Sequence, residues 1–525
     1  MFRYHYLPVG FSRRAFFNHN YLQLMPSPLT FPKYRSWRTH PFMWLLRYAV
    51  LLSLPSFMKK VIPVLICLFS FGNIYAQSDS ALFNAEQLRA DLDTVHSWLL
   101  SSHPKLYSNA DSIATEKKWW QVRSELKNSI SRPAFMKVLA PLLAQYNDGH
   151  TFVETDFESP ELTAFKADGG RFLSYEVTIQ ENEVWVKKDH DTLIQVKPGS
   201  RILSINDKPI NEIITELYNA MAGDHKANRL ATASRLFGFL LWNQYGWSAP
   251  YVIQLKEPDG TIRSIKSSAV TVDDYLKNLF PSPLWTMDIF PEENLAVIEC
   301  RSYSGNMDRI REKLDSFFTI IKQKNIQHVA LDLRRNGGGN SMIGTLFLSY
   351  LTQQLLLSVN SKSFRESKRL HALPADFWLK KQFDNALKTW KREGEFLTTY
   401  FESDNPLQLT KPELFFKGQF YLLTSARTYS SAHMTAMQVK CSKLGVIIGQ
   451  PTGEQIDLTG EILSSKLPQT NILVYIPTAR FTSSCKWNEK MGVQPDHLVA
   501  FDPTHLADGI DTEVAFLKQL IKTKN

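Results

Sequence analysis

Apolar positions along the chain change their period twice, and each period marks a different kind of element. Leu88, Leu92, Val95 and Leu99 recur at helical spacing behind Asn84 and Gln87, a capping-box pair, until Pro104 stops the run. Pro133, a good first-turn residue, opens a second helix with Phe135, Leu139 and Leu142 on one face. That helix runs out at Asn147-Asp148-Gly149-His150. The period then falls to two: residues 183–187 alternate, and Asp259-Gly260 is a hairpin signal between YVIQLK and TIRSI. Between them a Pro-Gly turn leads to a short buried strand (Ile202, Leu203, Ile205), a polar turn at Asn206-Asp207, and a helix from Asn211 within a helical stretch near 212–245.

From about 285 strands and helices alternate. Strands are predicted over 294–300, 328–333 and 419–423, and helices over 307–322, from the glycines 337–339 to Leu351, and over 431–443. Residues 446–448 and 472–476 are expected to continue the same sheet, which makes a layered α/β domain. The segment 352–415 interrupts it with aromatic and charged residues and is expected to form a lid or wall over a cleft. The predicted organisation is a helical region over 77–150, a β-rich domain over 170–275 and an α/β domain over 285–525.

The formal net charge of +9 suggests nucleic acid until it is located. Nine basic residues (Arg3, Arg13, Arg14, Lys33, Arg35, Arg38, Arg47, Lys59 and Lys60) lie in a stretch with no acid, and the 51 that remain balance 51 acidic residues. No basic face for phosphate is implied. The charges precede a secretory signal pattern over 58–76: Lys59 and Lys60, an apolar run from Val61 to Phe71, and a cut after Ala76. The run is short for a spanning helix, so no stable membrane span is expected after its removal. Ile66 before Cys67 argues against a lipidation site. Export to the periplasm or cell envelope, or secretion, is expected, with 1–57 as over-read upstream sequence ahead of a start at Met58. Cys300, Cys441 and Cys485 match no zinc ligand set, and no metal or cofactor is expected. One disulfide would suit an oxidising compartment, but buried small apolar residues are the plainer expectation.

Two stretches carry candidate chemistry. In VALDLRRNGGGN (329–340) a buried strand ends in three glycines before a helix, which frees backbone N–H groups to face a ligand; the P-loop pattern is absent. In YLLTSARTYSSAHMTAMQ (421–438) an apolar strand and a polar turn lead to Ser430 and Ser431 at a helix start. By composition either serine would serve as an N-cap; alternatively, Ser430 Oγ stands at the end of the sheet with the helix N-terminus behind it.

The order DLRRNGGGN, TSARTYSSA, GVIIGQPTGE and GVQPDHLV, after a helical lead-in ending in DGHT, resembles the tail-specific (C-terminal-processing) serine protease family over nearly all of 80–500. The strand, turn and helix around 202–211 resemble the core of a PDZ domain, a module that takes up peptide termini by strand addition. The resemblance implies a ClpP/crotonase-like β-β-α core with Ser430 as nucleophile. It also implies an oxyanion hole from the N–H groups of Ser431 and of one glycine among 337–339, with Gly338 first. One branch of the family uses a lysine base in a motif such as GEPTFGKG, where this chain has GQPTGEQ with Gln455 in the lysine's place. The tricorn-like branch uses the histidine of DGHT and a glutamate before GVxPD, present here as His150 and Glu489. Glu454 and Asp496 are alternative orienting acids, and His433 an alternative base more readily explained by packing or specificity. Gly149 replaces the serine that such sites carry before the histidine.

The implied activity is an exported endopeptidase that acts through an acyl-enzyme on unstructured polypeptides or C-terminal tails. A non-catalytic binding protein on the same scaffold, or a crotonase-like acyl-CoA enzyme, are the rival classes. The substrate's sequence, the oligomeric state and the choice of glycine stay open. A histidine base implies that kcat/KM rises through an apparent pKa of roughly 6 to 8. Mass spectrometry of the exported protein should find a mature chain beginning near Gln77. A mature form that retains any part of 1–57 would overturn the Met58 start.

Overall fold

The capping box read from Asn84 and Gln87 is made in full in a computed structural model of the chain, which describes residues 81–191, 195–267, 269–354, 356–402, 411–485 and 491–524. The segment 1–57, the signal pattern over 58–76 and Glu489 lie outside the described residues. Asn84 Oδ1 accepts from the Gln87 N–H, and Gln87 Oε1 accepts from the Asn84 N–H, both at 3.0 Å, opening α1 (Ala85–Ser102). An unforeseen helix, α2 (Ser112–Glu125), follows; it buries only Thr115, Trp119 and Val122, too sparse a stripe to read as a helical period. α3 (Arg132–Ala144) starts at Ser131, whose hydroxyl caps the Ala134 N–H. The predicted apolar faces of α1 and α3 meet in one cluster.

The β-rich region is an antiparallel sheet in the order β5-β4-β3-β2-β1, built from β1 (Tyr175–Gln180), β2 (Glu183–Asp189), β3 (Arg201–Ile205), β4 (Tyr251–Lys256) and β5 (Ile262–Ser267). Asn206 and Asp207 turn left-handed (φ 49° and 62°) after β3 and lead into α4 (Ile210–Ala220). The helical stretch expected near 212–245 is broken at 221–225, around Gly223-Asp224-His225, and resumes as α5 (Lys226–Arg235) and a further helix, Phe237–Tyr245. α5 packs beside the edge strand β1, where Ser234 Oγ accepts from the Ile179 N–H at 2.9 Å.

The α/β region holds a sheet in the order β6-β7-β8-β12-β13-β16: β6 (Trp285–Phe290), β7 (Leu295–Cys300), β8 (His328–Asp332), β12 (Gln419–Thr424), β13 (Val446–Gly449) and β16 (His497–Leu498). β6 is antiparallel to β7, and every later pair is parallel. Alternate residues face opposite ways. Ala296, Ile298, Leu331 and Leu422 pack with α6 (Met307–Gln323), α7 (Ser341–Leu348) and α9 (Ser431–Ser442), while Leu295, Val297, Ala330 and Leu423 pack under α10 (Thr512–Lys524). Helices on both faces explain why these strands read as unbroken apolar runs.

One expectation fails. Residues 472–476 do not extend this sheet; they belong to β15 (Leu473–Ser483) of a third, antiparallel sheet in the order β10-β11-β9-β15-β14. A short apolar run looks the same in either sheet, and only pairing distinguishes them. The segment 352–415 supplies β9 (Val359–Arg365), α8 (Trp378–Thr389), β10 (Lys391–Glu393) and β11 (Phe396–Tyr400), with β14 (Leu458–Lys466) at the opposite edge. Cys441 and Cys485 are joined, with Cα atoms 5.9 Å apart, so the expectation of buried unpaired thiols holds only for Cys300.

Leu331 is wholly buried in the middle of β8. Leu331→Ala should lower the stability of the chain by about 2–5 kcal/mol, read from its chemical denaturation curve. A loss under about 1 kcal/mol would contradict a packed core at this strand.

Candidate active site

β12 ends at Thr424 and the chain turns over 425–429 before α9 begins at Ser431. The turn is tied at four points. The Thr428 hydroxyl accepts from the Ser425 N–H (3.0 Å) and donates to the Leu333 carbonyl (2.9 Å). Ser425 Oγ donates to the Arg334 carbonyl at 2.7 Å, and the Tyr429 N–H donates to the Asn336 carbonyl at 3.1 Å. Three of the four bonds run to the loop that leaves β8, so the two predicted stretches form one rigid unit. Ser430, between turn and helix, has φ 53° and ψ −126°, a conformation rare for a residue with a Cβ.

Glycine is required beside it. A Cβ on Gly338 (φ 102°) would lie 2.7 Å from Ser430 Cβ. The Gly338 N–H donates to Asn336 Oδ1 at 2.8 Å, so the glycine named first from the sequence has its N–H engaged within its own loop. The Ser431 hydroxyl donates to the Gly339 carbonyl at 2.7 Å.

His150 arrives from the turn after α3. Asp148 Oδ1 accepts from the His150 N–H at 2.7 Å, and Asp148 Oδ2 takes bonds from Thr459 Oγ1 (2.8 Å) and His103 Nε2 (3.0 Å). Burial favours the neutral acid, but the hydrogen bond and charge of His103, with the hydrogen bond from the His150 N–H, outweigh it and hold Asp148 well below the usual carboxylate range. The Thr459 hydroxyl commits its hydrogen to that carboxylate and so accepts from His150 Nδ1, 3.3 Å away. The ring proton therefore sits on Nδ1, and Nε2 keeps its lone pair. Burial pushes His150 down to about 4, which keeps the imidazole neutral at ordinary pH.

Glu454 joins the histidine to the serine. Its Oε1 lies 3.3 Å from His150 Nδ1, and its Oε2 accepts from the Ser430 N–H at 2.6 Å. Burial, then the charges of Asp224 and Asp148, push its carboxyl well above the usual range. The His150 ring also lies against Tyr429, with centroids 5.0 Å apart. No hydrogen bond joins Ser430 Oγ to His150 among the described residues; the Glu454 carboxyl is in contact with both residues.

The remaining candidates separate cleanly. Asp496 pairs with Lys440 and accepts from the Ile447 N–H at 2.8 Å, a tie at the far end of α9. His433 is buried with Nδ1 2.8 Å from Thr452 Oγ1, and burial pushes it down to about 3. Gln455, in the place of a lysine base, is buried. The position of Gly149 is explained by space: a Cβ there would meet Tyr429 Oη at 2.4 Å.

Asp224 was not foreseen. It accepts from the Gly149 N–H (3.1 Å), the Tyr429 hydroxyl (3.0 Å) and the Gln455 N–H (3.3 Å), and burial, with Asp148 nearby, pushes it up to about 7. Its one signal in the sequence is Gly223, a helix breaker inside a stretch read as continuous helix. Lys105, which donates to the Asp457 carbonyl, adds a positive charge that acts on Glu454 and Asp224.

Residues 294–499 match the model of peptidase family S41. Among solved structures, a point mutant of CPAF aligns with a TM-score of 0.61 at 12% identity, over 83% of this chain and 97% of that one. Mature CPAF complexed with lactacystin aligns with a TM-score of 0.59 at 14% identity, over 84% of this chain and 98% of that one. At these identities the likeness is one of fold. No curated protein sequence matches the chain.

Burial that pushes His150 down to about 4 predicts, for a reaction in which this imidazole takes a proton, an acid limb below the roughly 6 to 8 of an ordinary imidazole. The acid limb of kcat/KM should fall below pH 6, with activity retained into mildly acidic buffer. An acid limb at or above the ordinary imidazole value would place the base in a wetter setting than His150 occupies.

Proposed function

Residues 294–499 of this chain belong to peptidase family S41, and from that premise we propose an exported endopeptidase in which Ser430 attacks a peptide carbonyl and His150 takes its proton. The chain is a serine-type peptidase, and its substrates are polypeptides. The observation that carries the residue assignment is the Glu454 carboxyl, which contacts the Ser430 backbone and the His150 ring at once.

In this reading His150 Nε2 removes the Ser430 hydroxyl proton as Oγ bonds to the carbonyl carbon, and the imidazolium returns that proton to the leaving amine. Water then repeats the sequence on the acyl-enzyme. The developing imidazolium is stabilised by a carboxylate at Nδ1; Glu454 is in position for that, and Glu489, named first from the sequence, is the competing assignment. The N–H of Ser431 at the start of α9 and an N–H of the 337–339 loop receive the oxyanion. Since the Gly338 N–H already has Asn336 as its acceptor, its neighbours in the loop become the stronger candidates, unless substrate draws the Gly338 N–H away.

The ClpP/crotonase-like core is supported by the parallel strands β7, β8, β12 and β13 with helices after each glycine or serine turn. A PDZ-like module is supported by β3, its polar turn and α4 within the antiparallel sheet. Export rests on the signal pattern over 58–76, and the Cys441–Cys485 disulfide suits an oxidising compartment. Among the described residues no helix is long and apolar enough to cross a membrane. Tail specificity is read from the family resemblance alone.

Ser430→Ala should abolish fluorophosphonate labelling and peptide hydrolysis, while Ser431→Ala keeps a measurable fraction because alanine retains the backbone N–H. His150→Ala should cost on the order of 10³-fold in kcat/KM. On that background the glutamate that serves His150 should add little when changed to glutamine, whereas the other should act independently. Loss of labelling in Ser431→Ala alone would reverse the nucleophile assignment, and full activity in His150→Ala would refute the base.

A further inference from the structure

The loop that leaves β8 and the turn that carries Ser430 meet at one wholly buried residue, Asn336. Its backbone carbonyl accepts from the N–H of Tyr429, the residue before the nucleophile, at 3.1 Å. Its side-chain Oδ1 accepts from the Gly338 N–H at 2.8 Å. The Gly338 carbonyl accepts from the Tyr303 N–H at 3.0 Å, so this glycine is held at both ends. Gly338 also lies directly on the nucleophile turn: a Cβ there would stand 2.9 Å from the Tyr429 carbonyl oxygen and 3.0 Å from the Ser431 nitrogen. So close an approach leaves no slack between loop and serine.

The direction of the Asn336 amide is forced. A backbone N–H can only donate, so the amide oxygen must face Gly338, and the NH2 group is left facing Cys300 Sγ, 3.2 Å away. Cys300, the last residue of β7, is wholly buried and donates its own hydrogen to the Ser302 carbonyl at 3.5 Å. Burial pushes its thiol up, so the sulfur keeps that hydrogen and serves Asn336 as an acceptor. Turned over, the amide would set NH2 against N–H and leave buried groups unpaired. The thiol thus fixes the amide and the amide fixes the glycine, behind the reacting groups rather than among them.

Donors for an oxyanion act only when they stand where the charge develops, and a displaced donor costs rate without costing substrate affinity. We infer that Asn336 is a positioning residue for the oxyanion loop. It holds Gly338 against the turn of Ser430, which sets the direction of the neighbouring N–H groups, and the Cys300 thiol aims its amide. The inference deepens the peptidase reading and rests on it.

The test uses three variants of the full chain. Asn336→Ala removes the hold, Cys300→Val removes the thiol at similar size, and Cys300→Ser restores a donor and acceptor in its place. For Asn336→Ala, kcat should fall on the order of 10²-fold while KM stays within about threefold. Affinity for a peptide aldehyde, whose adduct with serine resembles the tetrahedral state, should fall in step with kcat/KM. Cys300→Val should lower kcat by about tenfold, and Cys300→Ser should recover most of that loss. Hydrogen exchange over 336–340 should quicken in Asn336→Ala and Cys300→Val and stay near native in Cys300→Ser. Should Asn336→Ala fail to fold, the two Cys300 variants decide alone. A kcat within about threefold of native in both Asn336→Ala and Cys300→Val would overturn the proposal. So would losses carried by KM, because a merely structural role would weaken substrate binding as well. Equal impairment in Cys300→Ser and Cys300→Val would overturn the thiol's part in it. If the native chain neither labels with fluorophosphonate nor binds the aldehyde, the peptidase reading falls instead, and the exchange contrast still reports the hold of Asn336 on Gly338.

Discussion

Everything at the candidate site depends on one buried carboxyl group. Glu454 accepts from the N–H of Ser430, whose backbone lies in a rarely populated region, and reaches Nδ1 of His150 with its other oxygen. A backbone outlier of this kind costs of order 1–3 kcal/mol, and the hydrogen bond from its N–H to Glu454 offsets part of that cost. One side chain therefore holds the turn that carries Ser430 and lies against the His150 ring.

Three buried acids share this space, and they do not carry three charges. Asp148 is held ionised by His103 and by the His150 N–H, while burial pushes Asp224 up to about 7 and Glu454 well above its usual range. Each acid binds a different set of backbone groups: Asp148 the turn at His150, Asp224 the N–H groups of Gly149 and Gln455, Glu454 the N–H of Ser430. Four segments far apart in sequence are thereby fastened together, and a shift in any one is transmitted to the others through short polar contacts. The neutral state of the imidazole follows from the same burial that raises Glu454.

The helices and strands were readable where local chemistry is strong. The capping box at Asn84, the apolar stripe of α3 and the strand–glycine and strand–serine breaks around 337–339 and 430 all express short-range rules, and the structure follows them. The motif order also singles out Ser430 and His150, with Glu454 as an alternative orienting acid. Reading failed where the deciding contact is remote. α2 has no clean apolar period because it is held by a few residues against its neighbours, and β15 looked like any short buried strand until its partners were known. Asp224 lay in a stretch that reads as helix, 75 residues from Gly149 and 205 from Tyr429, whose groups it binds.

By itself, then, the sequence determined the kind of protein this is and the residue types its chemistry requires, because nucleophile turns, glycine loops and helix caps are local and leave a signature within a few residues of themselves. The tertiary structure decided the rest: which carboxyl among the described residues meets the histidine, that Gly338 turns its N–H toward Asn336, and that Tyr429 fills the space at Gly149. Those outcomes are distances and charge states. They arise only when distant segments close around a common buried volume, where the loss of water makes each polar contact matter.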